Sequence, residues 1–192
     1  ALLSIVVNPL IFSWLDRRVL RMDLAANAAL DAEAAIPEGV SNHAILVGYG
    51  RVGRELARLL QERGVPLVLI EADRDRVTEA RKQGFTTIFG NAAAEAVLKE
   101  AHPDTAQLAI LAVPQALEAG EVIARLKATN PDITVLARAH SEAEVKHLLD
   151  HGADAAVLAE RELAYSLADM VMAMPPYRPA RVEAMPAPAS SR

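Results

Sequence analysis

The 192-residue sequence contains no cysteine. This absence excludes a disulfide framework, a zinc site with thiolate ligands and a cysteine nucleophile. Aromatic residues make up only 4% of the chain, so a platform for stacking nucleobases is not expected. Positive charge is not in excess either, because 20 Lys and Arg stand against 25 Asp and Glu, for a formal net charge of −5. We therefore expect no nucleic acid partner, since proteins that bind DNA or RNA present a basic surface.

The two ends of the chain differ in composition from the middle. Residues 1–15 carry no charged side chain, and arginines follow at positions 17, 18 and 21. We expect 1–20 to be the end of a truncated transmembrane helix with a cytoplasmic exit, because a full span needs about 20 apolar residues. A signal-peptide core and a buried soluble helix are the alternatives. Residues 21–42, rich in Ala, Asp and Glu, predict a linker, and 175–192, with five of the eleven prolines, predict a disordered Pro/Ala tail.

The middle of the chain, residues 43–174, alternates short apolar runs with segments of helical periodicity. Apolar runs without polar alternation suit strands that are buried on both faces of a parallel sheet. We therefore predict an α/β protein with a Rossmann-like, doubly wound, parallel six-stranded sheet. The predicted strands cover 43–47, 66–70, 86–89, 108–113, 133–137 and 155–158, and the predicted helices cover 51–63, 74–83, 92–101, 117–129, 141–151 and 160–174.

A glycine-rich loop lies between the first predicted strand and the first predicted helix. Its sequence, Gly48-Tyr49-Gly50-Arg51-Val52-Gly53, has the spacing G-x-G-x-x-G. In this context Gly48 permits a tight turn, Gly50 lets a phosphate approach the backbone, and Gly53 lets the helix pack on the strand. The helix N-terminus offers free N–H groups to an anion. We predict a nucleotide-binding loop; the alternative is a turn that only joins strand to helix.

An acidic residue follows the second predicted strand. Glu71 lies 71 − 48 = 23 residues after Gly48, and the dinucleotide-binding fingerprint places a ribose-binding acid about 20 residues on. A carboxylate there disfavours a 2′-phosphate and so favours NAD or an adenosine nucleotide over NADP. Asp73 is predicted to cap the next helix, and Arg74 and Arg76 to lie on its solvated face.

Further candidate residues follow the ends of three predicted strands. The carboxyl ends of parallel strands meet at one edge of a sheet, where ligands bind. Asn91 either caps its helix or contacts the nucleotide, and the end of the fourth strand lies where an adenine is expected. The predicted binding set is completed by Ala72, Asn91, Ala92, Val113 and Pro114.

The sequence offers no catalytic constellation. The five histidines form no metal-ligand motif, and His147 and His151, four apart, are predicted to lie on a solvated helix face. No serine lies in a nucleophile elbow. A dehydrogenase needs further protein to hold a substrate against the nicotinamide, and we expect none within these 192 residues, because few of them follow the sixth predicted strand. We expect a binding module rather than an enzyme. An oxidoreductase completed by a partner and a ligand-free dimerisation module are the alternatives.

Several segments resemble the regulatory RCK or TrkA-N domain of potassium transport proteins. The resemblance covers residues 43–165 and includes HAILVGYGRVG, PLVLIEADRDRV, FGNAAAEAVLKEA, ILAVP and ARAHSEAEVKHLLDHGADAAVLAERELA. The upstream SIVVNPLIF resembles the end of the membrane part of Kef-type monovalent cation:proton antiporters, in the YbaL-like branch. The sequence departs from the pattern of this family at Asn91, where many family members have aspartate.

The resemblance implies a homodimeric domain on the cytoplasmic side of the cell inner membrane. Such a domain binds NAD(H) or AMP and controls the antiporter membrane domain of the same polypeptide. The sequence independently contains an apolar helical stripe after the last strand: Leu163, Leu167, Met170, Val171 and Met174. This stripe packs either on a second subunit or on the domain's own sheet.

Overall fold

The computed structural model describes residues 40–174. The transmembrane remnant predicted for 1–20, all but the last three residues of the linker predicted for 21–42, and the tail predicted for 175–192 lie outside the described residues. Within 40–174, no helix has the length and apolar character needed to cross a membrane.

The described residues form six strands that alternate with six helices. All strand pairs are parallel, and the strand order is β3-β2-β1-β4-β5-β6. This order is that of the doubly wound dinucleotide-binding fold, so the predicted fold class is confirmed. The strands are β1 (Ala44–Val47), β2 (Leu67–Glu71), β3 (Thr86–Phe89), β4 (Leu108–Leu111), β5 (Thr134–Ala139) and β6 (Ala155–Leu158), and the helices are α1 (Arg51–Glu62), α2 (Arg74–Lys82), α3 (Glu95–Glu100), α4 (Ala116–Thr129), α5 (Glu142–Asp150) and α6 (Ala159–Ala173).

The central strands are apolar because helices cover both faces of the sheet. Every residue of β1 is buried, and its register pairs Ala44 with Leu67 on one side and Leu108 on the other. Alternate strand residues consequently enter two separate cores. Ile45 and Val47 belong to the larger core cluster, whereas Leu46 belongs to a smaller cluster with Tyr49 and Phe85.

Side-chain caps set several helix boundaries. The carboxylate of Asp73 accepts from the Arg76 N–H at 3.1 Å, which confirms the predicted cap of α2. The Ser141 hydroxyl accepts from the Glu144 N–H at 3.2 Å and caps α5. Helix α3 begins at Glu95 rather than at the predicted Ala92, because the Asn91 side chain accepts from the Ala93 N–H and forms a turn first.

The solvated face predicted for His147 is wrong. Its Nε2 is buried against α4, where a Cβ on Gly120 would lie only 2.7 Å away, while the His151 ring is 4.2 Å from the His147 ring. The two rings therefore help α5 pack on α4. No group of three His, Cys, Asp or Glu within residues 40–174 could hold a metal ion.

Helix α6 does not pack its apolar stripe on the sheet. Every residue from Glu160 to Met174 is exposed, and α6 contacts mainly the edge strand β6. Two contacts hold the first turn of α6 against the segment between β5 and α5. Glu160 Oε1 lies 3.2 Å from His140 Nδ1, and Arg161 forms an ion pair with Glu142. Of the two alternatives for the stripe, packing on the domain's own sheet is therefore not observed in the described residues.

The loop between β1 and α1 depends on two close approaches. Gly48 has φ +96°, a conformation that favours glycine, and a Cβ there would lie 3.0 Å from Val113 Cγ1. A Cβ on Gly53 would lie 1.9 Å from the Gly48 carbonyl oxygen. Helix α1 can therefore pack this close to the loop only with glycine at position 53. Gly50 differs, because its φ is −75° and a Cβ would meet only Arg76 Nη1, at 3.9 Å.

We expect Gly53→Ala to lower the free energy of unfolding by about 3 kcal/mol, because the new methyl group collides with backbone. The matched control, Gly50→Ala, should change it by less than about 1 kcal/mol, because its backbone angles suit any residue and there is space for the methyl group. Urea unfolding of the full chain measures both. Equal losses in the two variants would contradict this account of the loop.

Candidate functional site

A cavity of about 400 Å³ lies at the carboxyl edge of the sheet. It is located where the strand order reverses between β1 and β4, the switch point at which ligands of doubly wound proteins bind. Its walls come from the ends of four strands, the glycine loop and the start of α4. The lining residues are Val47, Gly48, Gly50, Ile70, Glu71, Ala72, Arg76, Gly90, Asn91, Ala92, Ala112, Val113, Pro114, Gln115, Glu118, Ala119 and Val122.

One end of the cavity meets the N-terminus of α1. Gly50 is the N-cap residue, and having no side chain it cannot cap the helix as Asp73 and Ser141 cap theirs. The first intrahelical bond runs from the Arg54 N–H to the Gly50 carbonyl. The preceding N–H groups and the positive end of the helix dipole can therefore bind an anion.

Glu71 is a buried carboxylate at the end of β2, only 7% exposed. Its Oε2 accepts from the Tyr49 N–H at 2.5 Å, and its Oε1 accepts from the N–H groups of Ala72 and Asp73 at 2.8 and 2.9 Å. Three charge-assisted hydrogen bonds thus compensate for removing this charge from water. The same bonds hold the glycine loop against the end of β2.

Arg76 extends from α2 over the cavity. Its Nη1 lies 3.8 Å from Glu71 Oε2, and its side chain is half exposed. The solvated position predicted for Arg76 is therefore incomplete, because its guanidinium also lines the site. Arg74 instead places its guanidinium 5.7 Å from the centre of the Phe89 ring.

The rest of the cavity lining includes an apolar surface and one polar pair. Ala112, Val113 and Pro114 follow β4 and supply the apolar part. Asn91 Nδ2, after β3, donates to Glu118 Oε1 in the first turn of α4 at 2.5 Å. This bond joins two parts of the cavity lining that are 27 residues apart in sequence.

Eight of the twelve predicted binding residues line this cavity together. They are Gly48, Gly50, Glu71, Ala72, Asn91, Ala92, Val113 and Pro114. The other four, Tyr49, Arg51, Val52 and Gly53, belong to the same loop and helix but do not line it. The Tyr49 side chain points into the smaller core cluster, packed edge-on against Phe85 at 5.9 Å, and burial raises the pKa of its phenol.

Sequence reasoning missed the contribution of α4 to the site. Gln115, Glu118 and Val122 line the cavity, yet no glycine motif or strand-end position indicates them. Their spacing of three to four residues on one helix face was the available signal. It could not be used without knowing which face of α4 meets the switch point.

A second groove of about 600 Å³ lies between α3 and the end of α4. It is larger than the first cavity, but Lys99, His102, Arg125 and Thr129 line it rather than the glycine loop or the carboxyl ends of the strands. We therefore assign the candidate site to the smaller cavity.

The sequence matches the family model of the TrkA-N domain over residues 44–159. The chain belongs to the TrkA-N family. The cation/proton antiporter YbaL of Escherichia coli is 40% identical over 179 residues, which are 91% of this chain and 32% of that protein. The chloroplastic K(+) efflux antiporter 1 of Arabidopsis thaliana is 31% identical over 136 residues, which are 71% of this chain and 11% of that protein. The chain thus spans a third or less of these two relatives.

Solved structures agree with this TrkA-N assignment. The TrkA-N domain of the inner membrane protein YbaL from Escherichia coli matches with a TM-score of 0.67 and 44% identity, covering 69% of this chain and 98% of that one. The GsuK channel bound to NAD matches with a TM-score of 0.63 and 20% identity, covering 69% and 24%. The Kef CTD of Shewanella denitrificans in its AMP-bound form matches with a TM-score of 0.60 and 23% identity, covering 69% of this chain and 80% of that one. The last two support the fold.

We expect Glu71→Gln to lower the free energy of unfolding of this TrkA-N domain by about 1–3 kcal/mol. A glutamine has only one acceptor oxygen, so it leaves at least one buried N–H of Tyr49, Ala72 or Asp73 without a partner. The matched control is Glu79→Gln, which breaks an exposed ion pair with Arg54 and should cost less than about 1 kcal/mol. Urea unfolding distinguishes them, and similar small losses in both would refute the supporting role of Glu71.

Proposed function

We propose that this chain is the cytoplasmic regulatory domain of a monovalent cation:proton antiporter in the cell inner membrane, and that it binds NAD(H) or AMP. One observation carries the proposal: a single cavity joins the uncapped N-terminus of α1 to the buried carboxylate of Glu71. These are the two recognition elements that a nucleotide needs, one for phosphate and one for ribose. Two relatives are antiporters, and one protein of the same fold is a channel bound to NAD. These names support a regulatory nucleotide-binding domain of a transport protein.

The residues present fit such a ligand. Phosphate oxygens would accept from the N–H groups at the start of α1, and the open space above Gly50 gives them access. A ribose hydroxyl would donate to Glu71 Oε2. A carboxylate has about four acceptor positions, and three are occupied by backbone N–H groups, so one remains without displacing any of them.

The charges around Glu71 favour NAD over NADP. A 2′-phosphate would lie against a buried carboxylate, which repels it. Arg76 offsets part of this repulsion, since its guanidinium is 3.8 Å from the same oxygen. We propose no catalytic residue. The nucleotide acts instead as a regulatory ligand, whose free energy of binding differs between two arrangements of the domain, typically by about 1–3 kcal/mol.

Gly50→Val should weaken the binding of NAD, NADH and AMP at least about a hundred-fold, because its side chain occupies the space that the phosphate needs. Isothermal titration of the full chain measures the affinities. The variant should keep its melting temperature, since the fold leaves room for the side chain. Ala96→Val on the exposed face of α3 is the matched control and should bind like the native chain. Absence of binding to the native chain, or equal binding to Gly50→Val, would reject the proposal.

We further propose that the chain forms a homodimer through α6. The stripe of Leu163, Leu167, Met170, Val171 and Met174 is exposed, with each side chain between 49% and 61% accessible. Apolar surface of this extent on one helix indicates a protein interface. A second copy of the chain provides a complementary surface, because a two-fold axis brings the same stripe from both copies together.

Met170→Glu should convert the dimer to a monomer, because it places a charge in the middle of the apolar interface. Met172→Glu is a closely matched control: the two methionines are 56% and 52% exposed, but Met172 lies on the opposite face of α6. Sedimentation equilibrium gives the mass of each variant. A monomeric native chain, or dimers of equal stability in both variants, would exclude this interface.

A further inference from the structure

The bond between Asn91 and Glu118 is a polar contact in the cavity lining that neither the glycine loop nor the carboxylate of Glu71 requires. Asn91 follows β3, and Glu118 is on α4, 27 residues later. Both side chains line the site. The contact is therefore available to a ligand bound in the cavity.

The orientation of the Asn91 amide is fixed by its second contact. Its Oδ1 accepts from the Ala93 N–H at 2.7 Å, so its Nδ2 faces Glu118. A carboxylate can only accept, so the opposite orientation would bring two oxygens together. This contact explains the asparagine at a position where an aspartate would oppose Glu118 with a like charge.

Glu118 consequently presents acceptors to the cavity. Of the roughly four acceptor positions of its carboxylate, the Asn91 amide occupies one. The ligand group that faces Glu118 must then be a hydrogen-bond donor. An oxygen acceptor at the same place would lose its water without gaining a partner.

The order of the subsites indicates which part of a nucleotide lies here. Phosphate belongs at the N-terminus of α1 and ribose at Glu71, so the base extends toward the remaining wall. There Val113 and Pro114 offer an apolar surface for a flat ring, and Glu118 offers acceptors for its edge. We propose that Glu118, oriented by Asn91, selects a purine with an amino group at position 6 against one with a carbonyl oxygen there.

This inference rests on the proposed nucleotide binding and adds the recognition of the base to it. Adenine carries an amino donor at this position, whereas hypoxanthine carries an oxygen acceptor. AMP and IMP share the same ribose and phosphate, so Gly50 and Glu71 treat them alike. We therefore expect the native chain to bind AMP about ten- to a hundred-fold more tightly than IMP.

The test compares the affinity ratio of AMP to IMP in three proteins by isothermal titration of the full chain. In Glu118→Gln the ratio should fall to within about three-fold, because a glutamine amide rotates to donate to the IMP oxygen. Glu121→Gln, an exposed acid on the same helix outside the cavity, should keep the native ratio. Glu118→Ala, which removes the acceptor altogether, should lose affinity for AMP while its affinity for IMP does not fall.

The outcomes separate this inference from the function on which it depends. Native chain that binds AMP and IMP equally, or a Glu118→Gln variant that keeps the native ratio, overturns the selection by Glu118 and leaves nucleotide binding intact. A folded Glu118→Gln variant that binds neither nucleotide also overturns it, since Glu118 would then be required for binding itself. Native chain that binds neither nucleotide refutes the proposed function and this inference together.

Discussion

The hydrogen bond from the Tyr49 N–H to the buried carboxylate of Glu71 is the contact on which the site depends. It connects the glycine loop to the end of β2, elements that are 22 residues apart in sequence. Without it, a charged group would be buried at the sheet edge with fewer partners, and the loop would lose its support beside α1. One carboxylate therefore holds the glycine loop and the end of β2 together beside the cavity and fixes their separation.

Two kinds of glycine serve this arrangement. Gly53 is required by the fold, because no methyl group fits between α1 and the Gly48 carbonyl. Gly50 is not required by the fold, since its backbone is ordinary and the space beside it is open. A glycine without a packing reason beside a cavity is most simply explained by the ligand that approaches it. This difference supports the proposed nucleotide binding.

Much of the fold could be predicted because its signals are local. The strands at 86–89 and 155–158 have the predicted ends, and Asp73 caps α2 as predicted. The predicted helix start and the predicted exposure of a histidine were wrong where a side chain bonds to a nearby backbone N–H group or packs against a distant helix. The Asn91 turn delays α3, and His147 is drawn from the expected solvated face into the contact between α5 and α4.

The sequence by itself determined the positions of the six strands, the place of the glycine loop and the acid at the end of β2, because short apolar runs, glycine spacing and strand ends follow rules that act over a few residues. Only the tertiary structure decided which side chains of distant segments come together and which stay uncovered. Arg76 beside Glu71, Glu118 opposite Asn91 and the uncovered stripe of α6 all depend on how helices rotate and pack against the sheet. Helix rotation is set by contacts between distant segments, and the spacing of residues along one helix does not show which part of the sheet each face meets.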